Sequence, residues 1–173
     1  MVARLEKHKD HETLIKSVAE MNKNGLKVIL SIIGDGSKRK DLEKLSIELG
    51  LESMINFVGA SRDIPKILSK LDIFVFSAKE DEGFGIALVE AMVAGIPILA
   101  SNVGSCLEIL DNGNYGKIFK KGDPKDLALK VLEMIHDPKS IYEKSLKART
   151  YAINNFSIEK MANSYFDYLM LWK

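Results

Sequence analysis

Ile73-Phe74-Val75-Phe76-Ser77-Ala78-Lys79-Glu80-Asp81-Glu82-Gly83-Phe84-Gly85-Ile86-Ala87-Leu88-Val89-Glu90 is the stretch on which the reading of this chain turns. It opens on four apolar residues, as a buried strand does, and passes into a helical run from Ile86 to Val93 that stops at Gly95. The loop between strand and helix is acidic and bracketed by glycine. Gly83 and Gly85 let the backbone come close to a ligand, and the start of the following helix offers unpaired N–H groups that suit a phosphate. Glu82 and Glu90 serve a different need, because an ionised carboxylate can accept two hydrogen bonds at once from adjacent hydroxyls of a sugar or a ribose. Phosphate and diol together describe a nucleotide sugar.

Outward from this unit, apolar runs alternate with segments of helical period, the pattern of a repeated βα unit. Val2 to Leu5 reads as a truncated first strand, followed by a helix from His11 to Met21 with Leu14, Ile15 and Val18 on one face. Val28 to Ile33 is a strand stopped by Gly34-Asp35-Gly36, and Arg39 to Leu49 is the next helix. Ile55 to Val58, ending at Gly59, is a third strand, Ile64 to Leu68 a short helix, and Ile73 to Phe76 the strand already quoted. Pro97 to Ala100 and Gly116 to Phe119 complete six strands around a short helical turn at Cys106 to Leu110. Asp123-Pro124 starts a helix through Ile135, with the aspartate as cap and proline in the first turn, and Ser157 caps a last helix to Trp172. The expected fold is α/β: a Rossmann-like, doubly wound parallel sheet of six strands with helices on both faces, one domain over residues 1–173. In such sheets ligands sit beyond the carboxyl ends of the strands, where the loops at 34–36, 59–62, 77–85 and 101–105 gather.

Composition narrows the partners. With 173 residues and 46% hydrophobic content the chain can bury a core of its own. Lys plus Arg number 25 against 24 for Asp plus Glu, so a net charge of +1 gives no field to recruit nucleic acid. A lone cysteine, Cys106, rules out an internal disulfide, and no N-terminal leader pattern or long apolar run is present. These features lead to a cytoplasmic expectation, with any membrane contact peripheral.

Other groupings carry less. Glu80-Asp81-Glu82 is an acidic triplet of the kind that holds a hard cation, but the nearby basic residues offer another way to meet phosphate charge, so no metal or cofactor is expected. His8 and His11 lack the further partners a zinc site needs and read as surface histidines. Lys117, Lys120, Lys121 and Lys125 form a short basic patch that reads as a solvated face. Cys106 reads as a small packed residue. Met161, Tyr165, Tyr168, Leu169 and Trp172 give the last helix an apolar face, read most simply as packing on this domain, with self-association as the consequence of any part left exposed.

Several motifs, in order, carry a resemblance: Ala3-Arg4-Leu5 with Lys9, Leu14-Ile15, Gly34-Asp35-Gly36, Phe57-Val58-Gly59, Glu82-Gly83-Phe84-Gly85 with Glu90-Ala91-Met92, Gly95-Ile96-Pro97, and Gly104 with Glu108. Over nearly its whole length the chain resembles the C-terminal, donor-binding lobe of retaining GT-B glycosyltransferases of family 4. The resemblance implies hexosyl transfer from a UDP- or GDP-linked sugar to a glycan or lipid-linked acceptor, in polysaccharide or glycoconjugate synthesis. It implies that Glu82 bonds the donor sugar, that Glu90 holds the ribose, and that Arg4 and Lys9 bind the diphosphate and stabilise charge as the sugar leaves. Arg4, Lys9 and Glu82 are then the catalytic candidates. The backbone of Gly83, Phe84, Gly85 and Ile86 completes the phosphate cradle, Gly34 is pocket wall, and Ser61 and Arg62 border the base. The chain departs from the family pattern at Ala3, where glycine is usual, at Phe76-Ser77-Ala78, where Pro-Ser is usual, and at Gly104-Ser105, where Gly-Gly is usual. Family enzymes are about twice as long, so an N-terminal acceptor lobe is expected outside this sequence. Working at the inner face of a membrane fits a lipid-linked acceptor, and this lobe alone is expected to transfer sugar poorly. The other readings are a nucleotide-binding or regulatory lobe without chemistry, and a sugar-nucleotide epimerase of the same architecture; a phosphorylase should show a pyridoxal-binding lysine, for which no setting is present.

Overall fold

The fold is given by a computed structural model that describes residues 1–79 and 83–171. Glu80, Asp81, Glu82, Trp172 and Lys173 lie outside the described residues, and with them the sugar-binding role expected of Glu82 and the last apolar position expected of Trp172.

Helix α1 (His11–Lys23), strand β1 (Leu30–Ile33), α2 (Arg39–Glu48), β2 (Ile55–Gly59), α3 (Ile64–Leu68), β3 (Phe74–Phe76), α4 (Ile86–Ala94), β4 (Ile98–Ser101), α5 (Gly104–Ile109), β5 (Lys117–Phe119), α6 (Pro124–His136), α7 (Pro138–Asn155) and α8 (Ile158–Met170) follow in order. The helix starts follow a repeated local rule. Asp10, Asp63, Asp123 and Asp137 each accept a backbone N–H of the first turn, and three of the four are followed by proline within two residues. Proline lacks the N–H that a helix start leaves unpaired anyway and is preset to helical φ, so Asp plus Pro fixes the first turn. Ser157 caps α8 in the same way, through the N–H of Lys160. α7 covers a segment with no expected element, although Asp137-Pro138 repeats the pair that correctly marks α6.

All strand pairs are parallel, in the orders β1-β2 and β3-β4-β5. Five strands form among the described residues where six are expected. The difference lies in residues 1–5, which follow β1 but register only as a single parallel bridge between Val2 and Ile33. Their backbone is nevertheless laid along it: Ile33 N–H donates to Met1 O, Ala3 N–H to Ile33 O and Leu5 N–H to Asp35 O, at 2.9–3.0 Å.

The sheet alternation shows why helices cover both faces. Along β4, Leu99 faces a core shared with Leu14, Ile15 and Val18 of α1 and Leu127 and Val131 of α6. Its neighbours Ile98 and Ala100 face a second core, with Leu88 and Met92 of α4, Cys106 of α5 and Ala148 of α7. β3 divides likewise, Phe74 and Phe76 to one side and Val75 to the other. A period of two that finds apolar partners on each face is the signature of a doubly wound sheet. Cys106 is a packed core residue, as expected.

Two expectations are corrected. His11 is not a surface residue; it is 1% exposed, at the first position of α1. α8 does not pack its apolar face on the domain: none of its residues is buried, and Ile158, Met161, Tyr165, Phe166 and Leu169 are exposed. Among the described residues no helix is long and apolar enough to cross a membrane.

Candidate functional site

The ring of Phe76, the last residue of β3, joins two of the expected groups. Lys9 Nζ lies over it, 5.4 Å from the centroid. On the same ring rests Gly85, where a Cβ would meet the Phe76 Cζ at 3.4 Å. Gly85 is the N-cap residue of α4 with φ +67°, a left-handed conformation that costs a side-chain-bearing residue about 1–2 kcal/mol. Among the described residues no side chain caps this helix. The partial positive charge of its first turn and the Lys9 ammonium therefore lie against one aromatic ring.

Lys9 is held there by its backbone. It forms an antiparallel bridge with Ala78, flanked by Asp10 N–H to Ser77 O and Lys79 N–H to His8 O, each 3.1 Å. His11 contributes from behind, with its Nδ1 3.0 Å from the Lys9 carbonyl. Burial pushes the His11 imidazole down to about 4, so it is neutral near pH 7.

Arg4 is exposed and belongs to the segment tied to β1 and the turn after it. Gly34 makes that tie possible: its φ is +140°, and a Cβ there would stand 1.9 Å from the Ala3 carbonyl oxygen. Its missing side chain makes room for the neighbouring backbone. Glu6 secures the far side of the turn, accepting from Ser37 Oγ at 2.8 Å and Ser37 N–H at 3.1 Å, bonds that hold its carboxyl below the usual range.

The remaining candidates are spread along the rim. Gly83, Phe84 and Ile86 are exposed, and Phe84 meets Phe156, the residue just past α7, edge-on at 5.6 Å. Glu90 is exposed on α4, one turn beyond Ile86. Ser61 and Arg62 are exposed on the next loop, which Gly34 N–H joins to the rim by a 2.8 Å bond to Gly59 O. The structure thus brings Lys9 and Gly85 onto the Phe76 ring and sets Arg4 beside the Gly34 turn, while Ser61 and Arg62 are exposed on the loop after β2 and Glu90 is exposed on α4. Phe76 and His11, which hold Lys9 from either side, are not among the residues expected at the site.

Among the described residues a hollow of about 20 Å³ lies beside Lys9, lined also by Glu6, Asp10, Glu12, Lys38 and Lys79. Larger cavities form away from it. One of about 520 Å³ opens at the amino ends of the strands between Leu30, Ser31, Ile73 and Val75, and one of about 360 Å³ lies between the end of α1 and α6. In the basic patch, Lys117 Nζ is bonded to Glu133 Oε2 at 2.7 Å and Lys130 Nζ to its Oε1 at 2.8 Å, which pulls that carboxyl down to about 2.

Comparison with known proteins completes the description. The sequence model of the family described as glycosyl transferases group 1 matches residues 1–155. The N-acetyl-alpha-D-glucosaminyl L-malate synthase of Bacillus anthracis is 26% identical over 136 residues, 79% of this chain and 35% of that protein. The crystal structure of Anabaena Alr3699/HepE in complex with UDP-glucose superposes with a TM-score of 0.89 at 26% identity, over 98% of this chain and 47% of that one. The C-terminal domain of a glycosyl transferase group 1 family protein, LpcC, from Francisella tularensis superposes at 0.75 with 25% identity, over 90% of this chain and 83% of that domain. The chain spans about half the length, or less, of the full-length relatives it matches.

Proposed function

Because the chain belongs to the glycosyl transferases group 1 family, we propose that it is the donor-binding lobe of a retaining glycosyltransferase that takes a hexose from a nucleotide-diphosphate sugar. The carrying observation is the Lys9–Phe76–Gly85 assembly, which lays an ammonium and the start of α4 against one aromatic ring at the carboxyl end of β3. That pairing suits a diphosphate. Phosphate charge grows as the sugar–phosphate bond breaks, and fixed cations aimed at developing charge act mainly in the transition state. Lys9 and Arg4 take that role here. Glu90 holds the ribose, Glu82 the sugar hydroxyls, and Ser61 and Arg62 border the base. No metal is invoked, since cationic side chains meet the phosphate charge. The acceptor, a glycan or a lipid-linked glycan, binds outside this chain, so the chain alone binds donor and transfers little sugar.

The solved relative bound to UDP-glucose supports uridine diphosphate as the first probe. Titration calorimetry of the chain with UDP, GDP, ADP and their glucose or mannose conjugates, with and without EDTA, tests the reading. Saturable binding of one nucleoside diphosphate, unchanged by EDTA, is expected. Absence of binding to the whole panel refutes the proposal. A requirement for a divalent cation refutes the metal-free part.

A further inference from the structure

Ser101 closes β4 and is fully buried. The β3–β4 ladder ends one step earlier, at the pair Phe76 and Ala100. Beyond it the backbone of β3 has lost its strand partner, and a side chain takes over. Ala78 N–H donates to Ser101 Oγ at 3.0 Å, and the same hydroxyl donates to Ala78 O at 3.1 Å. Both polar groups of a fully buried residue are thus satisfied by one hydroxyl, which needs both its donor and its acceptor capacity to do so.

The opposite edge of Ala78 is the one bridged to Lys9. Ala78 is held on one side by Ser101, and on the other its neighbours Ser77 and Lys79 bond to Asp10 and His8, the residues that flank Lys9. We infer that Ser101 is a positioning residue for the site: through the Ala78 segment its hydroxyl sets the backbone of Lys9. This inference rests on the donor-binding reading for its ligand consequences and on the hydrogen bonds alone for its structural ones.

The two parts are tested separately on the full chain, with Ser101→Ala and Ser101→Thr. In the absence of ligand, amide hydrogen exchange at Ala78, Lys79 and Asp10 should accelerate at least tenfold in Ser101→Ala, beyond any change in the α6 and α7 amides, and recover in Ser101→Thr, which keeps the hydroxyl. Unchanged exchange at these amides overturns the inference. In calorimetry, Ser101→Ala should weaken UDP about tenfold while changing uridine less than about twofold, because the nucleoside makes no use of Lys9, and Ser101→Thr should restore most of the loss. Equal weakening of UDP and uridine, or none of UDP, overturns the coupling to the phosphate site. If the unaltered chain binds another nucleoside diphosphate of the panel instead of UDP, that one replaces UDP here; failure to bind any of them would count against the donor-binding reading, while the exchange result would still decide whether Ser101 holds Lys9.

Discussion

Gly34→Ala probes the joint on which the position of Arg4 depends. The new Cβ would stand 1.9 Å from the Ala3 carbonyl oxygen, a backbone atom with no rotamer to move, at a φ of +140° that side-chain-bearing residues avoid. Relief requires residues 1–5 and β1 to separate by more than about an ångström. That strains the bonds of Ala3 N–H to Ile33 O and Leu5 N–H to Asp35 O, both 3.0 Å long. Two backbone bonds at about 1 kcal/mol each and about 1–2 kcal/mol of conformational strain give roughly 3–4 kcal/mol. For a chain of this size that lowers Tm by roughly 6–16 °C. Gly50→Ala is the matched control: its φ of +66° is also left-handed, but nothing lies within 4 Å, so only the conformational cost of about 1–2 kcal/mol applies. Urea melts of both variants, with UDP titration beside them, read the difference. Gly34→Ala should be the less stable by about 2 kcal/mol and should bind UDP more weakly, because Arg4 sits in the displaced segment. Equal stability of the two variants would show that the close approach of Ala3 to Gly34 does not constrain the fold.

The other predictions concern single groups. Glu90→Ala should weaken UDP and UDP-glucose alike, by about 10- to 150-fold, whereas Glu82→Ala should weaken only UDP-glucose; equal effects of the two variants in calorimetry would contradict the division of roles. His11 titrates near 4 when folded against 6.5 when unfolded, so the unfolded chain binds the extra proton first and stability falls as pH drops from 6.5 towards 4, by up to about 3 kcal/mol. An NMR titration that gives His11 an ordinary midpoint would refute its burial. Glu133, depressed to about 2 by its bonds to Lys117 and Lys130, stabilises the fold above pH 4.5, and that contribution is lost as pH falls towards 2. Glu133→Gln should accordingly be less stable than the parent at pH 7, with the gap closing in acid; a gap that stays constant with pH would exclude the ion pairs as its cause.

What the sequence reveals depends on how local the cause is. The strand at 73–76, the helix from 86 and the Asp-Pro start of α6 are each decided within a few residues, by apolar runs and by cap chemistry, and they form where expected. α7 carries the same Asp-Pro start, but its mixed exposed face leaves only Ser145, Ala148 and Ala152 buried, so there is little apolar period to read. His11 shows the limit of residue-type reasoning. Histidine beside two charged residues looks solvated, yet its place in the first turn of α1 turns it inward, and only packing decides that. The apolar face of α8 is legible as a pattern, while its partner is not, because period alone does not say what a face packs on. Ser101 was hidden for a related reason: its two bonds reach Ala78, 23 residues away, and no local pattern announces them.

The rim follows a division between buried backbone and solvated charge. Lys9 and Arg4 are fixed by main-chain ladders beside Ala78 and along β1, whose bonds lie against core residues, yet Arg4 is exposed and the hollow beside Lys9 is small. In water the attraction between such a cation and a phosphate is screened within about 10 Å at ordinary ionic strength. A site of this kind binds mainly by having its geometry set in advance rather than by the strength of any one ion pair. It follows that the Lys9→Ala loss should shrink in high salt, and that the Ser101→Ala loss, which acts by moving the same cation, should shrink with it. Calorimetry of UDP binding at low and high salt checks this. A Ser101→Ala loss that stays constant while the Lys9→Ala loss shrinks would mean that Ser101 does not act through Lys9.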